Sequence, residues 1–169
     1  MENRRGIAAN DSSLVLASVL ISKNDQHGVV AEDCRIKISG CELSGNAIGA
    51  LLIKCEGQVL LSRFVRNSEV GLHLSGARIK VQRSQFTDNR QDGIRISDGR
   101  SAIWGSSFSG NGGYNLANTG REDVTAVLNW WGSNDESAIT VKLLDATQKA
   151  GSGIVTISPW LPEKPAALP

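Results

Sequence analysis

The sequence predicts an all-β fold, a parallel β-helix of about six coils closed by a C-terminal cap. Three observations predict it. Asparagines recur at Asn3, Asn24, Asn46, Asn67, Asn89 and Asn111, 21 or 22 residues apart. A glycine follows three or four residues after the first five of them, at Gly6, Gly28, Gly49, Gly71 and Gly93, with Asn115 in the sixth unit. Each unit also holds three short stretches that alternate apolar and polar, the pattern of a strand with one buried face.

Within a unit the first strand follows the glycine. Its inward pairs are Ile7/Ala9, Val29/Ala31, Ala50/Leu52, Leu72/Leu74 and Ile94/Ile96, with an imperfect sixth, Leu116/Asn118. The second strand carries Leu16, Ile38, Val59, Val81 and Ile103, each eight residues before the next asparagine. The third carries Ile21, Leu43, Phe64, Phe86 and Phe108, with Val19, Cys41, Ser62, Ser84 and Ser106 two residues earlier. One such unit cannot bury its apolar face alone, but stacked units share a continuous core. Equivalent strands of neighbouring coils then pair about 4.8 Å apart. Phe64, Phe86 and Phe108 are expected to stack, and the asparagines to form a ladder at a turn. The recurrent glycines are expected to be turn residues with positive φ, a role Asn115 can share. Coincidental spacing in a β-sandwich is the competing account, and six units in common register argue against it. The coils are assigned to residues 1–132, and a capping segment and tail to 133–169.

Composition narrows the function. Lys plus Arg number 18 against 17 Asp plus Glu in 169 residues, a net charge of +1, which gives no reason to expect a nucleic-acid partner. Hydrophobic residues make up 40%, enough for a core. No apolar run reaches the ~18 residues of a membrane span, and no signal-peptide pattern opens the sequence. The four prolines, Pro159, Pro162, Pro165 and Pro169, all lie at the extreme C-terminus, where they would end strand pairing.

The unit Asn-x-x-x-Gly-Ile-x-Ile followed by Ile-x-x-Ser-x-Phe-x-x-Asn resembles the right-handed parallel β-helix repeats of the pectin-lyase-like superfold. The similarity covers residues 3 to 132. Asn129-Trp130-Trp131-Gly132, followed by Ser158-Pro159-Trp160-Leu161, also resembles the ending of bacterial β-helix proteins similar to the periplasmic nitrous-oxide-reductase maturation factors. The resemblance implies a right-handed coil, an extracytoplasmic or cell-surface location, and a first sheet that carries the cleft in the enzymes of the superfold. Many members lack catalytic activity, so the fold leaves function open.

Register gives the outward residues of that first sheet as Ala8, Val30, Leu51, His73, Arg95 and Ala117. A polysaccharide hydrolase needs converging carboxylates, and a calcium-dependent lyase needs an acidic cluster with a basic residue. The column has no carboxylate. Asp92 and Asp98 flank Arg95 along the chain and are the only candidate catalytic acids. His73 and Arg95 are the candidate ligand contacts, with Arg95 as clamp for a sugar. The expected function is a non-catalytic β-helix module, surface-structural or carbohydrate-contacting, with a polysaccharide or glycan as partner. The alternative is a lyase, epimerase or glycoside hydrolase, or its remnant, acting on this face. Removal of Arg95 is expected to abolish ligand binding while leaving stability nearly unchanged.

His27 and His73 are read as lying on different coils and faces, too few for a zinc or copper centre, so no metal or other cofactor is expected. Arg-Ile-Lys occurs at 35–37 and again at 78–80, both on the second strand. It resembles a polygalacturonase motif, but Gly28, upstream of the first copy, reads as a turn glycine and the paired aspartates are missing. Cys34 and Cys55 share a column of small residues in adjacent coils and Cys41 belongs to another; buried free thiols are expected over a disulfide. The repeat starts at Asn3 with nothing ahead of it to plug the column. Two expectations follow: this is the C-terminal part of a longer protein, or two copies meet through residues 1–22 as a homodimer.

Overall fold

A computed structural model of the chain describes residues 3–166. It is a parallel β-helix. The first sheet contains β1 (Arg5–Asn10), β4 (His27–Glu32), β7 (Ile48–Ile53), β10 (Leu72–Ser75), β13 (Ile94–Ser97), β16 (Leu116–Asn118) and β18 (Leu143–Leu144). The second contains β2 (Ser13–Ala17), β5 (Arg35–Ser39), β8 (Glu56–Leu60), β11 (Arg78–Gln82), β14 (Ala102–Trp104), β17 (Val124–Thr125) and β19 (Val155–Thr156). The third contains β3 (Leu20–Ser22), β6 (Glu42–Ser44), β9 (Arg63–Val65), β12 (Gln85–Thr87) and β15 (Ser107–Ser109). Each strand pairs in parallel with its equivalent one coil on, in the register the repeat requires; Ile7 meets Val29, Leu16 meets Ile38, and Phe64 meets Phe86.

The core is a set of columns along the coil axis. Phe64, Phe86 and Phe108 stack with centroids 5.0 and 5.1 Å apart, and Trp131 continues the stack at 4.6 Å. Aromatic overlap in this offset-stacked range adds to the burial of the rings themselves. Trp131 thereby closes the apolar column.

The asparagine ladder is complete from Asn24 to Asn111. Each Nδ2 donates to the Oδ1 of the next: 2.8 Å for Asn24 to Asn46, 3.3 Å for Asn46 to Asn67, and 2.9 Å for each of the next two steps. The same oxygens accept the backbone N–H of the preceding asparagine, at 3.0–3.1 Å. Asn111 hands the ladder to Asn115 at 3.0 Å. These buried amides are satisfied on both sides, which removes the penalty of taking them out of water.

A second ladder runs beside the third sheet. Ser62, Ser84 and Ser106 each accept, through Oγ, the backbone N–H of the residue one coil earlier: Cys41, Ser62 and Ser84, at 3.1–3.2 Å. Asn129 Oδ1 ends it by accepting from Ser106 N at 2.9 Å.

The recurrent glycines do not have the positive φ expected of them, and Gly28 lies inside β4 rather than in a turn. Their role is space. A Cβ on Gly28 would stand 2.5 Å from the Gly49 carbonyl oxygen and 2.9 Å from Asn46 Nδ2; on Gly49 it would stand 2.4 Å from the Gly71 oxygen. A side chain there would break both the coil stacking and the asparagine ladder. Positive φ occurs instead just after the strands, at Asp33, Lys54, Leu61, Arg83, Asp88 and Asp98 among others. Non-glycine residues hold this left-handed turn because coil stacking fixes it.

Cys34, Cys41 and Cys55 are buried free thiols. The first coil is the least covered. Leu16 and Ile21 are buried, Ile7 and Leu14 half-buried, but Val19, expected inside, is 36% exposed. The segment after residue 132 does more than cap. It supplies β18 to the first sheet and β19 to the second. Just before β18 lies the one short helix among the described residues, α1 (Glu136–Thr140), N-capped by Asp135, which buries Ile139. Asp145 fastens this segment. Its Oδ1 accepts from the N–H and hydroxyl of Thr147, and its Oδ2 from Val155 N at 2.9 Å. Burial alone would raise its pKa, but these donors outweigh it and hold the carboxyl below its ordinary value. No helix among the described residues is long and apolar enough to cross a membrane.

Candidate functional site

The outward column of the first sheet lies where the repeat predicts, except that its last member, Ala117, is buried. Ala8 pairs with Val30, Val30 with Leu51, Leu51 with His73, His73 with Arg95, and Arg95 with Ala117. Inward neighbours on each strand are fully buried, for example Leu72, Leu74, Ile94 and Ile96, so strand alternation turns His73 and Arg95 outward.

Arg95 and Asp92 come together. Arg95 Nε donates to Asp92 Oδ2 at 2.8 Å and Nη2 approaches the same oxygen at 2.7 Å. Nη2 also donates to Gln91 Oε1 at 3.1 Å. Asp92 is only 4% exposed, and its other oxygen accepts the backbone N–H of Tyr114 at 2.9 Å. Both oxygens are therefore occupied by fixed donors.

Asp98 is not brought to the same place. It sits in the turn after β13, exposed, with φ 71°, and accepts from Arg121 N at 3.1 Å. Six residues of nearly extended chain separate it from Asp92, a span of roughly 20 Å. The two acids stand at opposite ends of one strand and do not flank a common point.

His73 lies one coil before Arg95. Its Nε2 is 3.1 Å from Ser97 Oγ, which is 3.3 Å from Thr119 Oγ1, and Thr119 donates to the Ile96 carbonyl at 3.1 Å. This polar chain crosses three coils. Burial lowers the His73 pKa first, the Arg95 charge lowers it further, Asp92 opposes, and His27 adds to the lowering. The ring is therefore neutral at pH 7, with one nitrogen to donate and one to accept. His27 is likewise lowered by burial and by Arg5, with Glu69 opposing, and its buried Nδ1 has no partner among the described residues. The expectation that the histidines occupy different faces does not hold. Both belong to the first sheet, in β4 and β10, close enough for His73 to feel His27.

The Arg95–Asp92 geometry also corrects the expectation that Arg95→Ala would be harmless to stability. Without the guanidinium, Asp92 keeps one donor for a buried carboxylate, a loss of about 1–3 kcal/mol. Ser97, Thr119 and Gln91 were missed from the sequence. The 22-residue step from Ser97 to Thr119, two residues after the outward Arg95 column, is the signal that marks two of them.

Chemically, the site offers a neutral imidazole, two hydroxyls, an amide and a guanidinium on a rigid sheet. These are hydrogen-bond partners for hydroxyl groups and one anionic group. No group of three or more His, Cys, Asp or Glu that could hold a metal ion occurs among the described residues.

Residues 1–131 match the family model described as a right-handed β-helix region. Neither the curated proteins nor the solved structures contain a significant match to the chain. The match spans all the coils in which asparagines, phenylalanines and outward residues keep common register, and right-handed crossover is the rule for parallel strands joined through a second sheet. The chain belongs to the right-handed β-helix family.

Proposed function

We propose that the protein is a non-catalytic β-helix module that contacts carbohydrate through the first-sheet face, with His73 and Arg95 as the ligand contacts. The occupied state of Asp92 carries this reading. An acid or base for glycoside chemistry must be free to exchange a proton with substrate. Asp92 is buried, ion-paired to Arg95 and bonded to Tyr114 N. Asp98 stands at the far end of the strand and supplies no second carboxylate at the 5–9.5 Å separation such enzymes use.

The alternative is a lyase, epimerase or hydrolase, or its remnant, and one observation favours it. His73 is held neutral beside a cationic Arg95, the state a proton-abstracting base requires. The two readings separate in one experiment. A panel of neutral and acidic polysaccharides is tested for binding by calorimetry and for chain shortening by size-exclusion. The module reading expects binding without shortening, weakened tenfold or more by His73→Ala. It expects equal loss in Asp92→Asn/Arg95→Gln, which removes the ion pair as a unit and keeps a hydrogen-bonded pair in its place. Chain shortening by the wild type overturns it, as does unchanged binding by both variants.

A further inference from the structure

The outer face of the second sheet carries a groove of about 530 Å³, away from His73 and Arg95, lined by Arg35, Lys37, Arg78, Lys80, Glu56 and Gln58 among others. The two Arg-Ile-Lys copies create it. Register sets Arg35, Glu56 and Arg78 in one column, and Lys37, Gln58 and Lys80 in the next. The isoleucine of each copy, Ile36 and Ile79, points inward and is buried, so the flanking Arg and Lys both point out. The result is a rectangle of four cations, about 7 Å along the strands and about 10 Å along the axis. One carboxylate, Glu56, faces it, 3.4 Å from Arg35 Nε. The Lys37–Gln58–Lys80 column contains no acid, and its continuations Val15, Ala102 and Thr125 are uncharged.

Gly57 lies at the middle of the groove. In the inward column between Ile36 and Ile79, it has φ +141°, and a Cβ there would stand 2.0 Å from the Ile36 carbonyl oxygen. Only glycine fits there, and its backbone is exposed between the Glu56 and Gln58 side chains that stand between the two cationic rows. One column over, the partly exposed Trp104 shares the outer face, in register with Gln82 beside Lys80.

We infer that this groove is a second binding face, and that it holds a linear acidic polysaccharide laid along the coil axis, its anionic groups meeting the Arg35/Lys37 row and then the Arg78/Lys80 row. A β-helix wall fixes the spacing between rows, which suits a stiff polymer with periodic charge better than a compliant peptide. Between the rows Gln58 offers an amide to hydroxyl groups, and the partly exposed indole of Trp104 nearby offers stacking. The chain's net charge of +1 leaves no extended field of the kind that draws nucleic acid. This face is independent of the first-sheet reading.

The test measures binding of polygalacturonate, dextran sulfate, neutral dextran, poly-glutamate and a single-stranded oligonucleotide to the full chain at two salt concentrations. Binding of polygalacturonate or dextran sulfate over neutral dextran, falling steeply with salt, is expected, and the two arms separate carboxylate from sulfate recognition. Lys37→Glu/Lys80→Glu should weaken it at least tenfold with an unchanged melting curve, since both lysines are exposed; Lys37→Gln/Lys80→Gln should give a smaller loss. His73→Ala should leave it intact, which separates this face from the first-sheet site. Equal binding of neutral dextran, tighter binding of poly-glutamate or the oligonucleotide than of either acidic glycan, or wild-type affinity in the folded charge-reversal variant overturns the inference.

Discussion

At the scale of single residues, position in the coil decides what each side chain does. His73 is a polar residue on an outward face, yet its neighbours lower its proton affinity. Burial and the Arg95 charge both disfavour the imidazolium, and His27 is lowered in the same direction. The unfolded chain, with histidines near 6.5, therefore binds protons more readily than the folded one. Stability should be full above pH 6.5 and fall as pH drops through that value toward the depressed folded pKa. Melting temperature followed from pH 7.5 to 5.5 should decline, and His73→Gln should flatten part of the decline. A profile unchanged by His73→Gln would place the effect elsewhere. The sequence alone located His73 and Arg95 on one face by counting from the glycines. It did not reveal that Arg95 is committed to Asp92, because that contact depends on a loop preceding the strand and on Tyr114 N from the next coil.

At the scale of elements, columns matter more than strands. The phenylalanine stack, the asparagine ladder and the serine ladder each run perpendicular to the chain. A single strand of three to six residues has little stability alone. Phe86 lies in the middle of the stack, 0% exposed, with rings on both sides. Phe86→Ala should cost about 3–5 kcal/mol, as for other large-to-small core changes, measured by denaturant unfolding. A cost under about 1 kcal/mol would mean that the stack is not a principal support. The glycine role was misassigned from sequence for a physical reason. A glycine recurring at a fixed step signals either a left-handed turn or a close approach, and the chain alone does not distinguish them. The stacked coils do, since the obstructing carbonyl and asparagine atoms belong to residues 18 to 22 positions away.

At the scale of the whole molecule, the two ends differ. At the C-terminal end Trp131 closes the phenylalanine stack, while α1, β18 and β19 cover the final coil. On the first coil Val15 is 66%, Leu20 65% and Val19 36% exposed. The proposed homodimer through residues 1–22, of which 1 and 2 lie outside the described residues, would cover the coil edge and Val19 in an isologous contact. Light scattering at high concentration should give a dimer, Val19→Lys should return a monomer, and Val15→Lys, on the outward side of the second sheet, should be neutral. A monomeric wild type would end the proposal.

The sequence by itself determined the fold class, the coil register and the outward column, because all three depend on a repeat that stacking must preserve. It also placed both Arg-Ile-Lys copies on the second sheet. Only the tertiary structure decided which acids are free, which glycines are spacers, and that a groove lies between the two cationic rows. Those outcomes depend largely on atoms in neighbouring coils, about 20 residues apart in the chain and about 5 Å apart in space.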